Sequence, residues 1–520
     1  MITMSLAEVA DVIGIPVDSG WSDVCVRSVE FDTRRISPGA LFVALRGEQT
    51  DGHRFAAAAA EAGAVAVLGS TGIDARLPLL WVPRAARPAA DDRVDDDGAG
   101  NAAVLAALAA LARASVTALV RDHGLQVVGV TGSSGKTSTK DLIAAVLRST
   151  VEAPEQVVAP PESFNNELGH PYTALRATAE TRYLVLELSA RGIGHIAMLA
   201  GVAPPRIGAV INVGSAHIGE FGSVQAIAAA KAELVQALPP AAEGGVAILN
   251  ADDPLVAGMA SLTRAEVVLV GTAPEAIVRA EHIRLDTAAR ARFTLVTPEG
   301  RAEVALAVVG AHQVGNALTA AAVGRAVGAT VDTVAAALSG AAAASRWRME
   351  ITELPGGITL INDAYNANPH SMRAALQSLS QIGQGRRTWA VLGEMAELGS
   401  ETIAAHDEMG RLVVRLGVDR LIVVGASLGR RVDATGSGTA PNGARALHLG
   451  AHLEGSWGGE SAPVADVDAA LEVLRAELAE GDVVLVKASR SAGLERVALR
   501  LIADRTLIAD RTRPADGARP

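Results

Sequence analysis

The residues of this 520-residue chain best suited to chemistry concentrate first at 126–139, QVVGVTGSSGKTST. Lys136 and Thr137 follow a loop bounded by Gly132 and Gly135, with Ser133 and Ser134 between them. A lysine amine in that place reaches the outer phosphates of a nucleotide, and a threonine hydroxyl ligates Mg²⁺. The loop N–H groups and a helix N-terminus face the anion. The longer pattern G-x-x-x-x-G-K-[ST] would need glycine at 130, where Val130 stands, so the loop is the shorter GxxGKT kind. The residues imply binding of a nucleoside triphosphate. Two further groups suit a metal: Glu187 lies in the apolar run 183–188, and His217 follows the apolar run 207–213. Singly, a carboxylate can cap a helix and a histidine can sit satisfied in a loop. At successive strand ends beside a phosphate loop they form a magnesium shell.

Lysine occurs only at Lys136, Lys140, Lys231 and Lys487, among 46 lysines and arginines. A lysine retained against such a bias marks a need for a primary amine or a compact charge, which arginine cannot supply. Lys140 alone reads as an accident, whereas Lys231 and Lys487 do not. On the solvated face of its helix Lys231 would be ordinary. Partly desolvated near metals, its pKa falls and the amine can add CO₂, turning a cation into a carbamate with two ligand oxygens.

The elements that must position these groups alternate between strand and helix. A strand at 127–130 leads through the loop to a helix at 141–147. Further strands are expected at 183–188, 207–213 and 245–250, with helices at 224–238 and 317–327. That order predicts a doubly wound, mostly parallel sheet whose loops gather at one edge, so Glu187 and His217 converge on the phosphate loop. Asn316, at the start of the helix 317–327, either caps it or reads the edge of an adenine. Residues 1–99 form a smaller α/β unit with strands at 40–45 and 64–68. Its polar residues Asp32, Thr33, Arg34, Arg46, Gly47 and His53 sit at strand ends, where open sheets bind ligands. Asp32 and Arg34 read equally as a surface ion pair. Residues 83–100, rich in proline, alanine and acid, mark a linker and a domain boundary. The central unit is then 100–344 and the third 345–520. Strands of the third unit at 359–361, 388–392, 421–424 and 483–486 deliver Asp363, Asn366 and Asn368. The tail repeats LIADRT at 501–506 and 507–512 and is expected to fray.

Composition narrows the partners. The formal charge of −11 and an aromatic content of 3% disfavour nucleic acid. The lone Cys25 excludes an internal disulfide and reads as a small core residue. No basic-then-apolar segment opens the chain, so no signal peptide is expected, and the apolar stretch 102–120 is broken by Arg113. It reads as an alanine-rich helix and not a membrane span, which points to a cytoplasmic protein.

The runs TGSSGKTS, SFNNELGHP, LELSARGIGHI, NVGSAHIGEF, GAHQVGNALTAAA, INDAYNANPHSM, LGEMAELG and VKASRSAGLE stand in the order seen in Mur ligases, which the chain resembles over nearly its whole length. DTRRISPGALFVALRGEQTDGHRF extends the likeness into the first unit. The general motifs are shared with folylpolyglutamate synthetases, which lack the DTR-type first domain; a catalytically degenerate relative would lack the metal ligands. The resemblance implies three domains: a small N-terminal α/β domain, a central P-loop-type ATPase domain and a C-terminal Rossmann-like α/β domain. NDAYNANP, FNNELG and LGEMAELG imply an ATP-dependent ligase that joins D-alanyl-D-alanine to UDP-N-acetylmuramoyl-tripeptide through an acyl phosphate. By the same resemblance Gly132 to Ser138 hold the phosphates. Thr137, Glu187, His217 and a carbamylated Lys231 look like the shell of two Mg²⁺ ions. Asn316 looks like the adenine reader, and Arg348 and Asp363 like the third-domain residues that close over ATP. Arg346 competes with Arg348, and the R-M-E spacing favours Arg348. Asp32, Thr33, Arg34 and the loop with Arg46, Gly47 and His53 resemble a uridine-nucleotide site. Asn165 and Asn166 face the muramoyl peptide, and Asn366 and Asn368 the dipeptide. A monomer is expected.

Overall fold

The computed structural model describes residues 1–47, 50–74, 76–83, 96–160, 162–215, 218–425, 442–455 and 460–504. His217, most of the 83–100 stretch, the second LIADRT copy and the end of the first lie outside the described residues.

Three main sheets carry the chain. The first is parallel, pairing Ser28–Glu30, Ala40–Val43, Ala64–Gly69 and Leu79–Trp81 in sequence order. The second has nine strands, and Gln126–Thr131 lies between Ile207–Val210 and Tyr183–Glu187. From that strand the chain builds first toward one edge and then toward the other. Its C-terminal end is therefore a topological switch point, where the flanking connections leave in opposite directions and open a crevice. The phosphate-loop sequence occupies that point. In the third sheet, Ile358–Asn362, Val483–Lys487, Thr388–Leu392, Arg420–Val424 and Ser461–Val464 run parallel, with Glu350–Leu354 antiparallel at one edge.

The sequence reading places no element at 278–309, yet three antiparallel strands extend the second sheet there. Alternation marks the start of the middle strand: Ala291 and Phe293 point inward and are at most 1% exposed, between exposed Arg290 and Arg292, and from Phe293 to Val296 the strand is buried throughout. A second difference concerns Cys25. It is exposed on a two-stranded edge pair and not in the core, because that strand buries only the neighbouring Val26.

Helix Asp96–His123 runs across the expected boundary between the first and second units. By length and composition alone its stretch Ala99–His123 could cross a membrane. Here Leu108, Leu111, Val116 and Leu119 are at most 1% exposed and join one apolar cluster with Leu41 and Leu68 of the first sheet and Leu184 and Leu186 of the second. Each such leucine contributes about 1.5–3 kcal/mol by leaving water, so the helix ties those two sheets together. The third sheet has its own clusters on its two faces, around Leu376 and Leu485 and around Trp389 and Val484.

Candidate active site

Strand Gln126–Thr131 ends against the loop, and helix Lys136–Arg148 begins directly after Gly135. Gly135 has φ +83°, and a Cβ there would stand 2.8 Å from Asn316 Oδ1, so only glycine fits. Asn212, just past the strand Ile207–Val210, braces the loop: its carbonyl and Oδ1 accept from the Ser133 and Ser134 N–H groups at 3.1 and 3.0 Å. The first-turn amides of the helix have no intrahelical acceptor and remain for an anion. A cavity of about 670 Å³ opens here between the second and third sheets. Ser133 through Ser138, Asn165, Asn166, Asn316, Arg348, Asp363, Asn366 and Asn368 all border it.

Behind Thr137 lies Glu187, fully buried at the end of its strand. Its Oε2 accepts from the Thr137 and Ser163 hydroxyls, both at 3.2 Å. Its Oε1 is buried with no hydrogen-bond partner. Helix capping does not explain this carboxylate; an unsatisfied buried oxygen is costly and suits a cation. Lys136, beside it, donates to the Gly132 carbonyl at 2.6 Å. Burial lowers its pKa to about 8, with Glu187 opposing and Arg348 adding to the shift.

Lys231 lies in helix Val224–Gln236 on the buried face, 6% exposed. Among the described residues its amine has neither a hydrogen bond nor an ion pair. Burial, and after it the charge of Lys136, push its pKa well below the ordinary lysine value. Among the described residues no three His, Cys, Asp or Glu side chains cluster as a metal site. The donors that fit a hard cation are the Thr137 hydroxyl, the unpartnered Glu187 oxygen and, if converted to a carbamate, Lys231.

The third sheet supplies the opposite wall. Arg348 reaches Ser163 Oγ at 3.4 Å, stacks on Tyr365 at 4.3 Å and keeps a buried, unpartnered Nε, whereas Arg346 is exposed. Asp363 accepts from the Met349 N–H at 3.1 Å and pairs with Lys487 at 2.6 Å. Lys487, 1% exposed, also donates to the Asn366 carbonyl at 2.8 Å, so it holds the loop after strand Ile358–Asn362. Asn368 is the N-cap of helix Pro369–Ile382, its Oδ1 accepting from the Ser371 N–H at 2.9 Å. His370 meets the Ser134 hydroxyl at 3.0 Å. Asn316 is not an N-cap: helix Gln313–Ala326 is entered at His312, one turn earlier than expected. The Asn316 carboxamide accepts from Thr139 at 3.0 Å and donates to Gln313 at 2.8 Å.

The first-unit candidates do not border the cavity. Asp32 caps the 3₁₀ turn Thr33–Arg35 and forms a two-point ion pair with Arg34, which holds its carboxyl at about 2. Asp51 joins Arg46 at 3.1 Å and His53 at 2.7 Å, and His53 Nε2 accepts from the Ser70 N–H at 3.1 Å. The Gly47 N–H donates to the Thr50 carbonyl at 2.9 Å. This unit meets helix Gly169–Ala174 through Glu30, which accepts from the Tyr172 hydroxyl at 3.0 Å. Burial, then Glu30, push that phenol up to about 12.

Ser163 and His370 are site residues that the sequence reading does not single out. Ser163 contacts Thr137, Glu187, Asn165 and Arg348. Its only signal is its place at the head of SFNNELG; a serine advertises no chemistry by itself.

Residues 130–324 match the Mur ligase middle domain, 347–490 the glutamate ligase domain of Mur ligases, and 26–115 the Mur ligase family catalytic domain. UDP-N-acetylmuramoyl-tripeptide–D-alanyl-D-alanine ligase of Mycobacterium tuberculosis is 53% identical over 529 residues, spanning 97% of this chain and 99% of that protein. The enzyme of that name from Escherichia coli is 35% identical over 505 residues, spanning 96% and 99%. A crystal structure of MurF from Acinetobacter baumannii superposes with a TM-score of 0.76 at 26% identity, covering 96% of this chain and 99% of that one. MurF from Thermotoga maritima in complex with ADP shares the fold, with a TM-score of 0.71 at 24% identity over 94% and 99%.

Proposed function

The chain belongs to the Mur ligase family, and on that premise we infer that it joins D-alanyl-D-alanine to UDP-N-acetylmuramoyl-tripeptide, with ATP converted to ADP and phosphate, in peptidoglycan precursor synthesis. The observation that carries this reading is the set of incompletely paired charged groups around one phosphate loop: the buried Glu187 and Lys231 and the half-buried Lys136 and Arg348. An ADP-bound relative of the same fold supports nucleotide use.

The chemistry has two balanced steps. A carboxylate oxygen of the tripeptide attacks the γ-phosphorus, and the β–γ P–O bond breaks to release ADP. The dipeptide amine then attacks the acyl carbon, its N–C bond forms, phosphate leaves, and the amine loses a proton. The difficulty lies in bringing a carboxylate to a polyanion. Lys136 and the first-turn amides answer it on the central side and Arg348 on the other, stabilising charge where it grows in the transition state. Thr137, Glu187, His217 and Lys231 would hold Mg²⁺, which when bound neutralises phosphate charge. Burial pushes the Lys231 amine toward its neutral form, which could add CO₂ with loss of one proton, giving a carbamate that would serve as an oxygen ligand for the cation. The Asn316 carboxamide would read adenine, and Asp363, through Met349, would keep Arg348 in reach.

Asn165 and Asn166 would face the muramoyl peptide and Asn366 and Asn368 the dipeptide. The first unit, with Asp32, Thr33, Arg34, Arg46, Gly47 and His53, would take the uridine nucleotide. The division 1–99, 100–344 and 345–520 follows those tasks. The reading includes a monomer that works in the cytoplasm.

The test is phosphate release from ATP with UDP-N-acetylmuramoyl-tripeptide, with and without D-alanyl-D-alanine. Release that depends on both substrates is expected. Release indifferent to the dipeptide would overturn the reading.

A further inference from the structure

Lys140 is a lysine 1% exposed for which the ligase chemistry has no use. Its amine donates to the Pro160 carbonyl at 2.7 Å and pairs with Asp141 Oδ1 at 2.6 Å. The other Asp141 oxygen accepts the Ser345 hydroxyl at 2.7 Å. A buried ion pair is a poor way to add stability, since apolar side chains of like volume do as well. What it offers is direction, and three segments meet at this one. They are the phosphate-loop helix, the stretch that ends at Pro160, and the linker that runs from Ser345 into Arg348. Arg348 and Ser163 are the two ends of one contact, at 3.4 Å. The node therefore anchors the linker that carries one partner of that contact, Arg348, three residues upstream of it.

The linker needs such an anchor. Trp347 and Met349, flanking Arg348, have φ of +57° and +52°, a left-handed conformation that non-glycine residues rarely adopt unless held. Packing does not hold it on every side, because Asp141, Ser345 and Arg348 border a second cavity of about 190 Å³. The Met349 N–H is tied to Asp363 at 3.1 Å, which fixes the linker from the third sheet. Ser345 fixes it from the second.

We propose that Lys140, Asp141 and Ser345 are positioning residues for the ligase reaction, a pin that sets the reach of Arg348 toward Ser163 and the transferred phosphate. This rests on the reading of the main cavity as the ATP site. A displaced guanidinium slows turnover without weakening the hold on a substrate bound elsewhere.

The experiment measures dipeptide-dependent phosphate release by the full chain and by Ser345→Ala, Ser345→Thr, Arg348→Ala and the Ser345→Ala/Arg348→Ala double variant, with thermal melts confirming folding. Ser345→Ala is expected to lower kcat about tenfold with the KM for the UDP-substrate unchanged. Ser345→Thr, which keeps the hydroxyl and has the cavity beside it for its methyl, is expected to retain parental turnover. In the Arg348→Ala background Ser345→Ala should cost nothing further, because its effect acts through Arg348. Equal fold-losses in the two backgrounds, or parental turnover in folded Ser345→Ala, would overturn the pin while leaving the ligase reading intact. Absence of dipeptide-dependent release by the parent chain would overturn both.

Discussion

Two regions carry charged, polar motifs of similar appearance and treat them in opposite ways. In the first unit each charged group named above is matched to a neighbour: Asp32 to Arg34, and Asp51 to Arg46 and His53. Around the phosphate loop the charges are buried or half-buried and left short of partners: Glu187 keeps a buried oxygen and Arg348 a buried Nε without a hydrogen bond, and Lys231 has no ion pair or hydrogen bond among the described residues. Burial without pairing is unfavourable, and it persists in a fold only where a ligand completes the set or packing forces it. The difference separates a motif whose charges are satisfied within its own turns from one whose charges are left short of partners.

The largest expected effect is at Lys231. Lys231→Ala should lower ligase turnover at least about 10²-fold, and Lys231→Arg should not restore it, because a guanidinium cannot become a carbamate. An arginine variant as active as the parent would remove Lys231 from the incomplete set. A smaller effect sharpens the other half of the contrast. Arg34 is 85% exposed and, among the described residues, pairs with Asp32 alone, so Arg34→Ala should change kcat by less than about twofold and act on the KM of the UDP-substrate. Steady-state kinetics measures both; a loss of kcat at Arg34 rivalling that at Lys231 would erase the distinction.

What was legible in the sequence follows the range of the interactions. The phosphate loop was readable because its parts are neighbours in the chain: a strand, two glycines, a lysine and a threonine. Most of the parallel strands of the second and third sheets stood out as apolar runs, whereas Val157–Val158, Glu266–Gly271 and Ser461–Val464 did not. The antiparallel extension at 278–309 did not, since its buried apolar residues alternate with charged and polar ones and form no continuous apolar run. Lys140 reads as an accident in one dimension because only the tertiary fold decides which face of a helix is buried. Ser163 was hidden for a different reason: its role comes from four partners spread over the chain. The helix carrying Asn316 began earlier than its apolar run, at His312, and this moved Asn316 from a cap to the wall of the loop.

The incomplete set can be probed by calorimetric titration of the chain with ADP and Mg²⁺ across pH. In the free protein burial holds the Lys136 amine at about 8. Phosphates beside it favour the charged form, so its pKa is higher in the complex. Between those two values binding must take up a proton, and the sign is fixed: affinity is full below pH 8 and falls by about tenfold per pH unit above it. Expected, then, is proton uptake on ADP binding at pH 9, little at pH 7, and an affinity that declines between them. Affinity constant across that range, with no proton uptake, would contradict the placement of the nucleotide phosphates against Lys136.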